Sequence, residues 1–191
     1  MIVAFIPAKG GSTRLPNKNM ALVNGRPMID YAIEHAKAST HVQAIYVTTD
    51  AEDIAAHARS RGVNVIMRDT SLGGDTPLLD VYRHALRQIN DPSIKMIVGV
   101  QPDHPDRTVS LDEAIAAFRS AGPDCELLYS TEADGKKNGA QCVISRTFLE
   151  SGKNPAVDVV NKIGIVDDCT NVHYPDDLKR AEERLMARVC Q

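Results

Sequence analysis

Residues 1–19 read MIVAFIPAKGGSTRLPNKN. The apolar run over 1–7 ends in a proline and passes into a loop carrying Gly10, Gly11 and the cations Lys9, Arg14 and Lys18. An unbroken apolar run of this length suits a parallel strand buried on both faces, and a glycine turn behind it lets backbone approach a phosphate. Glycines bring N–H groups to a polyphosphate, and the cations offset charge that grows as pyrophosphate leaves. The order is neither the G-x-x-x-x-G-K-[ST] loop nor the dinucleotide G-x-G-x-x-G.

Outward from this loop, strands and helices alternate. Residues 27–38 place Met28, Ile29, Ala32, Ile33 and Ala36 at helical spacing, with Pro27 in the first turn. Residues 43–49 predict a second strand. Asp50 then caps a helix to about residue 61, Gly62 ends it, and residues 63–67 predict a third strand. Asp75 or Thr76 opens a helix to about residue 89, a fourth strand spans 95–100, and a helix follows over about 109–121. This rhythm predicts an α/β fold with a mostly parallel, doubly wound central sheet flanked by helices, whose ligands gather at the carboxyl ends of the strands. The loops behind strands one, two and four are expected to share one cleft. After Cys125, short strands over 126–130 and 140–145 flank a polar segment with Lys136 and Lys137, and a closing helix spans 176–189.

The 191 residues are 43% hydrophobic and 25% charged, with no repeat or linker, so one domain over 1–191 is expected. A net charge of −3 gives no overall attraction to nucleic acid or to an anionic membrane, and neither is expected as a partner. Cys125, Cys142, Cys169 and Cys190 form no C-x-x-C pair, which argues for reduced thiols rather than a zinc or redox site. The apolar start is too short for a membrane span and lacks the basic start and cleavage site of a signal peptide, so a cytoplasmic location is expected.

IPAKGGSTRLPNKN resembles IPARGGSKRLPGKN, the signature of the acylneuraminate cytidylyltransferases, the CMP-sialic acid synthetases. VTTDAEDIAAHARSRGVNV, MRDTSLGGDTPLLDVYRHAL and VQPDHPDRT resemble that family's second strand and helix, its nucleoside-binding stretch and its LQPTSPLRT. The resemblance runs from residue 1 to about 121. It implies a Rossmann-like nucleotide-diphospho-sugar transferase fold, CTP as donor and Mg2+ as cofactor. Arg14 and Lys18 would hold the triphosphate in a loop formed by Ala8, Lys9, Gly10, Gly11 and Ser12, with Asn19 beside the nucleotide. Arg68, Asp75 and Thr76 would hold cytidine, although Arg68 also reads as a surface arginine and Asp75 or Thr76 as a helix cap.

A divalent cation that bridges phosphates assists in-line attack on phosphorus, and magnesium takes oxygen ligands. Asp103, just beyond strand four, is the best candidate, and CMP-Kdo synthetases, with QGDEP there, place that aspartate on the metal. The late family motif IDIDTPEDL is TNVHYPDDL here, so Asn171 and His173 replace two aspartates. Asn171 can offer a carbonyl oxygen. His173 is a poorer magnesium ligand and reads as readily as a packed or capping side chain. Asp167 and Asp168 read more simply as a turn.

Gln101, His104 and Arg107 are the acceptor candidates, with Arg107 either clamping a carboxylate or serving a structural contact. Lys136 and Lys137 either meet an acceptor or form a solvated face. The family's arm of several dozen residues, which helps form its homodimer and close the acceptor pocket, is nearly absent, because TEADGKK leads straight to Asn138-Gly139-Ala140. Three functions stay open: CMP transfer to a small acidic sugar acid, transfer to a phosphate or phosphonate, and nucleotide binding without turnover.

Overall fold

The computed structural model describes residues 1–69, 72 and 76–189. Strand β1 (Ile2–Pro7) is followed by a 3-10 turn (Lys18–Met20) and a small hairpin, β2 (Leu22–Val23) and β3 (Arg26–Pro27), leading into helix α1 (Met28–Lys37). Strand β4 (Ala44–Thr49), helix α2 (Glu52–Ser60), strand β5 (Asn64–Met67), helix α3 (Leu78–Ile89), strand β6 (Met96–Val100) and helix α4 (Leu111–Ser120) complete the alternating half. Strands β7 (Leu127–Thr131) and β8 (Lys137–Ser145), helix α5 (Arg146–Ser151), strand β9 (Lys162–Val166) and helix α6 (Pro175–Val189) form the rest.

The central sheet has the order β5-β4-β1-β6-β8-β7-β9. Strand β1 pairs in parallel with β4 and β6, β4 with β5, and β7 with β9, while β8 alone runs against its neighbours. Val3, Ala4, Phe5 and Ile6 of the central strand are all fully buried, which is why the run lacks polar alternation. Ala4 and Ile6 pack toward Ile29, Ile33 and Ile115, and Val3 and Phe5 toward Tyr82, Ile97 and Phe148, so one strand supplies a core on each face of the sheet. A smaller cluster of Val23, Met28, Val172 and Ala181 seats α6 against the hairpin and α1.

Several expected helix starts move. Asp50 does not cap α2; Ala51 stands at the cap, and the Asp50 carboxylate accepts the Gly10 N–H at 2.8 Å. Helix α3 begins at Leu78, not at Asp75 or Thr76, because Pro77 disfavours helical backbone in the residue before it. Asp75 lies outside the described residues. Helix α4 starts from Ser110, whose hydroxyl accepts the Glu113 N–H while Glu113 reaches back to the Ser110 N–H. The hairpin turns on Asn24 and Gly25, both at positive φ, an Asn-Gly signal that the strand-and-helix rhythm passed over. No helix among the described residues is long and apolar enough to cross a membrane.

Candidate active site

A cleft of about 210 Å³ opens at the carboxyl ends of β1, β5 and β6. Lys9, Lys18 and Asn19 come from the first loop, Arg68, Leu72 and Thr76 from the second, and Gln101, Pro102 and Asp103 from the third. The loops behind β1 and β6 thus share the cleft as expected. The third side comes from the loop behind β5, whereas the loop behind β4 stands underneath as a support. Leu78 and Val81 of α3 add apolar walls. They are readable in sequence only as members of a helix stripe.

Backbone ties shape the first loop. Ala8 is buried and its N–H continues the β1–β4 ladder to the Thr48 carbonyl at 2.9 Å, so that donor is not available to a nucleotide. The Gly10 N–H is likewise committed to Asp50. The Cα of Gly10 passes so near α2 that a β-carbon would lie 2.6 Å from Ala51 Cβ, which excludes any side chain there. Gly11 and Arg14 are exposed at the rim and Ser12 is half-buried. Asn17 has φ 51° and ψ 34°, a left-handed conformation open to glycine or asparagine. It stands where the family signature has glycine. Asn19 is buried, and its side-chain N–H donates to the Lys9 carbonyl at 2.8 Å, bracing the loop.

Past that bend, Lys18 Nζ meets Asp103 Oδ2 at 2.6 Å. The other oxygen, Oδ1, faces His104 Nδ1 at 3.0 Å, and His104 Nε2 faces the Asn138 carbonyl at 3.1 Å. Burial pushes the Asp103 carboxyl upward, but the hydrogen bond and charge of His104 and the charge of Lys18 outweigh it and hold the group well below the usual carboxylate range.

Two acceptor candidates are turned away from the cleft. His104 is 1% exposed and stands behind Asp103, so it orients that carboxylate and is not poised toward an incoming hydroxyl. Arg107 is buried and donates to the carbonyls of Gln101, His104 and Ala140. Its guanidinium is spent on holding the loop. Gln101 remains on the cleft wall.

The late loop reaches the same place through the Val172 N–H, which donates to the Asp103 carbonyl at 2.9 Å. Beside it, Asn171 Oδ1 is buried with no hydrogen-bond partner among the described residues. An orphaned amide oxygen next to the segment held on Asp103 is a hard donor suited to magnesium. The donor chemistry of the residues present fits a divalent cation, which Asp103 and Asn171 would hold. His173 is half-buried, and its pKa is lowered by burial and then by Lys18, with Asp103 opposing, which keeps the ring a neutral neighbour of the site. Asp167 is spent on the start of α4, accepting from Thr108 and Val109, and Asp168 pairs with Arg184. Neither is a spare ligand.

Arg68 is 7% exposed, and its Nε has no partner among the described residues. Burial lowers its pKa while Asp50 raises it. Thr76 lines the cleft nearby.

The Cytidylyltransferase family profile matches residues 3–185. A 3-deoxy-manno-octulosonate cytidylyltransferase of Hydrogenovibrio crunogenus is 36% identical over 128 residues, 66% of this chain and 50% of that protein. The chain thus spans about half the length of the curated relatives it matches. Among solved structures, a CMP:2-keto-3-deoxy-manno-octonic acid synthetase complexed with CTP superposes with a TM-score of 0.78 at 16% identity, over 98% of this chain and 99% of that one. A Mycobacterium tuberculosis protein in complex with manganese superposes with a TM-score of 0.65 at 17% identity, over 95% and 98%. These two likenesses show the fold, a mostly parallel central sheet flanked by helices.

Proposed function

This chain belongs to the cytidylyltransferase family, and we propose that it transfers CMP from CTP to a small sugar acid with release of pyrophosphate. The observation that carries the reading is the meeting of Lys18 and Asp103 at 2.6 Å in one cleft, a phosphate-binding cation beside an oxygen donor for a metal. In this reading an acceptor hydroxyl gives its proton to water and its oxygen bonds to the α-phosphorus, while the bond from that phosphorus to pyrophosphate breaks and pyrophosphate leaves with the bonding electron pair. Lys18 leaves Asp103 for the triphosphate, and Lys9 and Arg14 neutralise the departing charge. A bound Mg2+ would polarise phosphoryl oxygens at Asp103 and Asn171. Arg68 and Thr76 hold the nucleoside, and Leu78 and Val81 exclude water from the base.

The acceptor reading favours a 3-deoxy-octulosonate-type sugar acid over a sialic acid. Its supports are the aspartate at position 103 and the curated relative named above. With His104 and Arg107 turned inward, the acceptor falls to the hollow adjoining Leu78, lined by Tyr129 and Lys137. Lys137 forms no ion pair among the described residues, and its Nζ lies 6.0 Å from the Tyr129 ring centroid. That free cation also suits a phosphate or phosphonate acceptor, the second reading.

The deciding experiment follows pyrophosphate release with CTP, UTP, ATP or GTP, Mg2+, and a panel of octulosonates, sialic acids and phosphonates. Release only with CTP and an octulosonate is the expected result. Release with a phosphonate alone selects the second reading, and CTP binding without release for any acceptor would leave a nucleotide-binding protein.

A further inference from the structure

We propose that Asp106 is a positioning residue that fixes the spacing between Asp103 and Asn171, an inference that rests on the cation site described above. Asp106 has no exposed surface. Its Oδ1 accepts the Thr170 N–H at 2.8 Å and its Oδ2 accepts the Thr170 hydroxyl at 2.9 Å. Arg184 of α6 brings Nε to 2.6 Å from Oδ2 as an ion pair, and Arg188 donates to the Asp106 and Arg107 carbonyls at 2.8 and 2.9 Å.

One carboxylate therefore joins three segments: the loop that carries Asp103, the loop that carries Asn171, and the closing helix. Asn171 is pinned from both sides, by Thr170 on Asp106 and by Val172 on the Asp103 carbonyl. A buried ion pair is a weak source of stability because desolvation offsets its attraction, whereas the directions of its hydrogen bonds admit one arrangement of the loops. LQPTSPLRT has leucine where Asp106 stands, so the polar clamp is a feature of this chain rather than of the signature it resembles. Ligand spacing held by residues outside the coordination shell is worth about 10- to 100-fold in metal affinity.

The test uses Mn2+ as a spin probe in the presence of CTP, together with hydrogen exchange at the Thr170 and Val172 amides. Asp106→Ala is expected to weaken Mn2+ binding about tenfold, with the KM for CTP moving less than about twofold and both amides exchanging faster. Asp106→Asn, which keeps an acceptor for the Thr170 N–H, is expected to return most of the affinity. Combined with Asn171→Ala, Asp106→Ala should weaken Mn2+ no further than Asn171→Ala alone. If Asp106→Ala fails to fold, Thr170→Val removes only the hydroxyl contact and must still speed exchange at Val172. Wild-type Mn2+ affinity in a folded Asp106→Ala variant, additive losses in the double variant, or unchanged exchange in Thr170→Val would each overturn the proposal. A wild-type protein that binds no Mn2+ with CTP would sink the cation site, while the exchange measurement would still decide whether Asp106 ties the loops.

Discussion

Lys18 Nζ and Asp103 Oδ2 stand 2.6 Å apart inside the cleft, joining the loop behind β1 to the loop behind β6. Each is partly shielded, with 15% and 13% of the side chain exposed, so each charge depends on the other while no ligand is bound. Lys18→Ala is expected to lower pyrophosphate release at least about 100-fold, the scale of losing one charge-stabilising donor. It should also cost about 1–3 kcal/mol of stability by leaving Asp103 with His104 alone. Asp103→Asn should instead raise the Mg2+ concentration needed for half-maximal rate. Full activity in both variants, with native melting curves, would remove these residues from the site.

Gly10 and Gly11 look alike in sequence and differ in space. A β-carbon on Gly10 would collide with Ala51 Cβ, while nothing lies within 4 Å of one on Gly11. Gly10→Ala is expected to break the tie to Asp50 and raise the KM for CTP by about tenfold, roughly 1.4 kcal/mol. Gly11→Ala should leave KM within about twofold. Equal effects from the two substitutions in steady-state kinetics would contradict this geometry.

His35 gives the fold an acid weakness. Burial, followed by the charge of Arg107, lowers its pKa from 6.5 to about 4, although the ring keeps a 3.0 Å contact with Gln141 Oε1. The unfolded chain thus takes up a proton between those values that the folded chain refuses, so stability is full above pH 6.5 and falls as pH drops toward 4. The loss approaches about 3 kcal/mol. His84 and His173, also lowered chiefly by burial, add in the same direction. Asp112, held at about 2 by hydrogen bonds from Ser39 and then Thr40, loses its contribution only at more acid pH. Denaturant melts at pH 7, 5.5 and 4.5 should show the slope in wild type and a shallower one in His35→Gln; identical slopes would refute the assignment.

Gly99, near the end of β6, has no room for a methyl group. A β-carbon there would press on the Tyr82 hydroxyl and come within 2.7 Å of Cys142 Sγ. Gly99→Ala is expected to destabilise the protein by about 1–3 kcal/mol through overpacking, while CTP binding by the folded fraction stays unchanged. An unaltered unfolding midpoint would show that Tyr82 moves aside freely.

The alternating half was legible because its signals are local. The runs ending at Pro7, Thr49 and Val100 are apolar enough to announce buried strands, and Gly62, at φ 71°, ends α2 where the sequence suggested. In the second half the expected strands over 126–130 and 140–145 and the helix over 176–189 match β7, β8 and α6, but α5 and β9 were not legible: α5 has six residues, and β9 alternates exposed Lys162, Gly164 and Val166 with half-buried Ile163 and Ile165. A strand of that kind is defined by its partner β7, which lies some 35 residues away in the chain and is invisible to periodicity. The site divides in the same way. Lys18 and Asp103 were nameable from their place behind strands one and four, but the inward turn of His104 and Arg107 follows from carbonyls of Asn138 and Ala140 supplied by a distant hairpin. Asp106 carried no signal either, since a loop aspartate gives no hint that Arg184, on the closing helix beyond the late motif, will cover it.

The positive φ at Asn17 bears on how kin of this chain are to be recognised. What the corner requires is a handedness of the main chain, and glycine and asparagine both adopt it. A consensus spelled with an obligatory glycine there discards sequences whose loop has the same shape, whereas one spelled by the torsion angle keeps them.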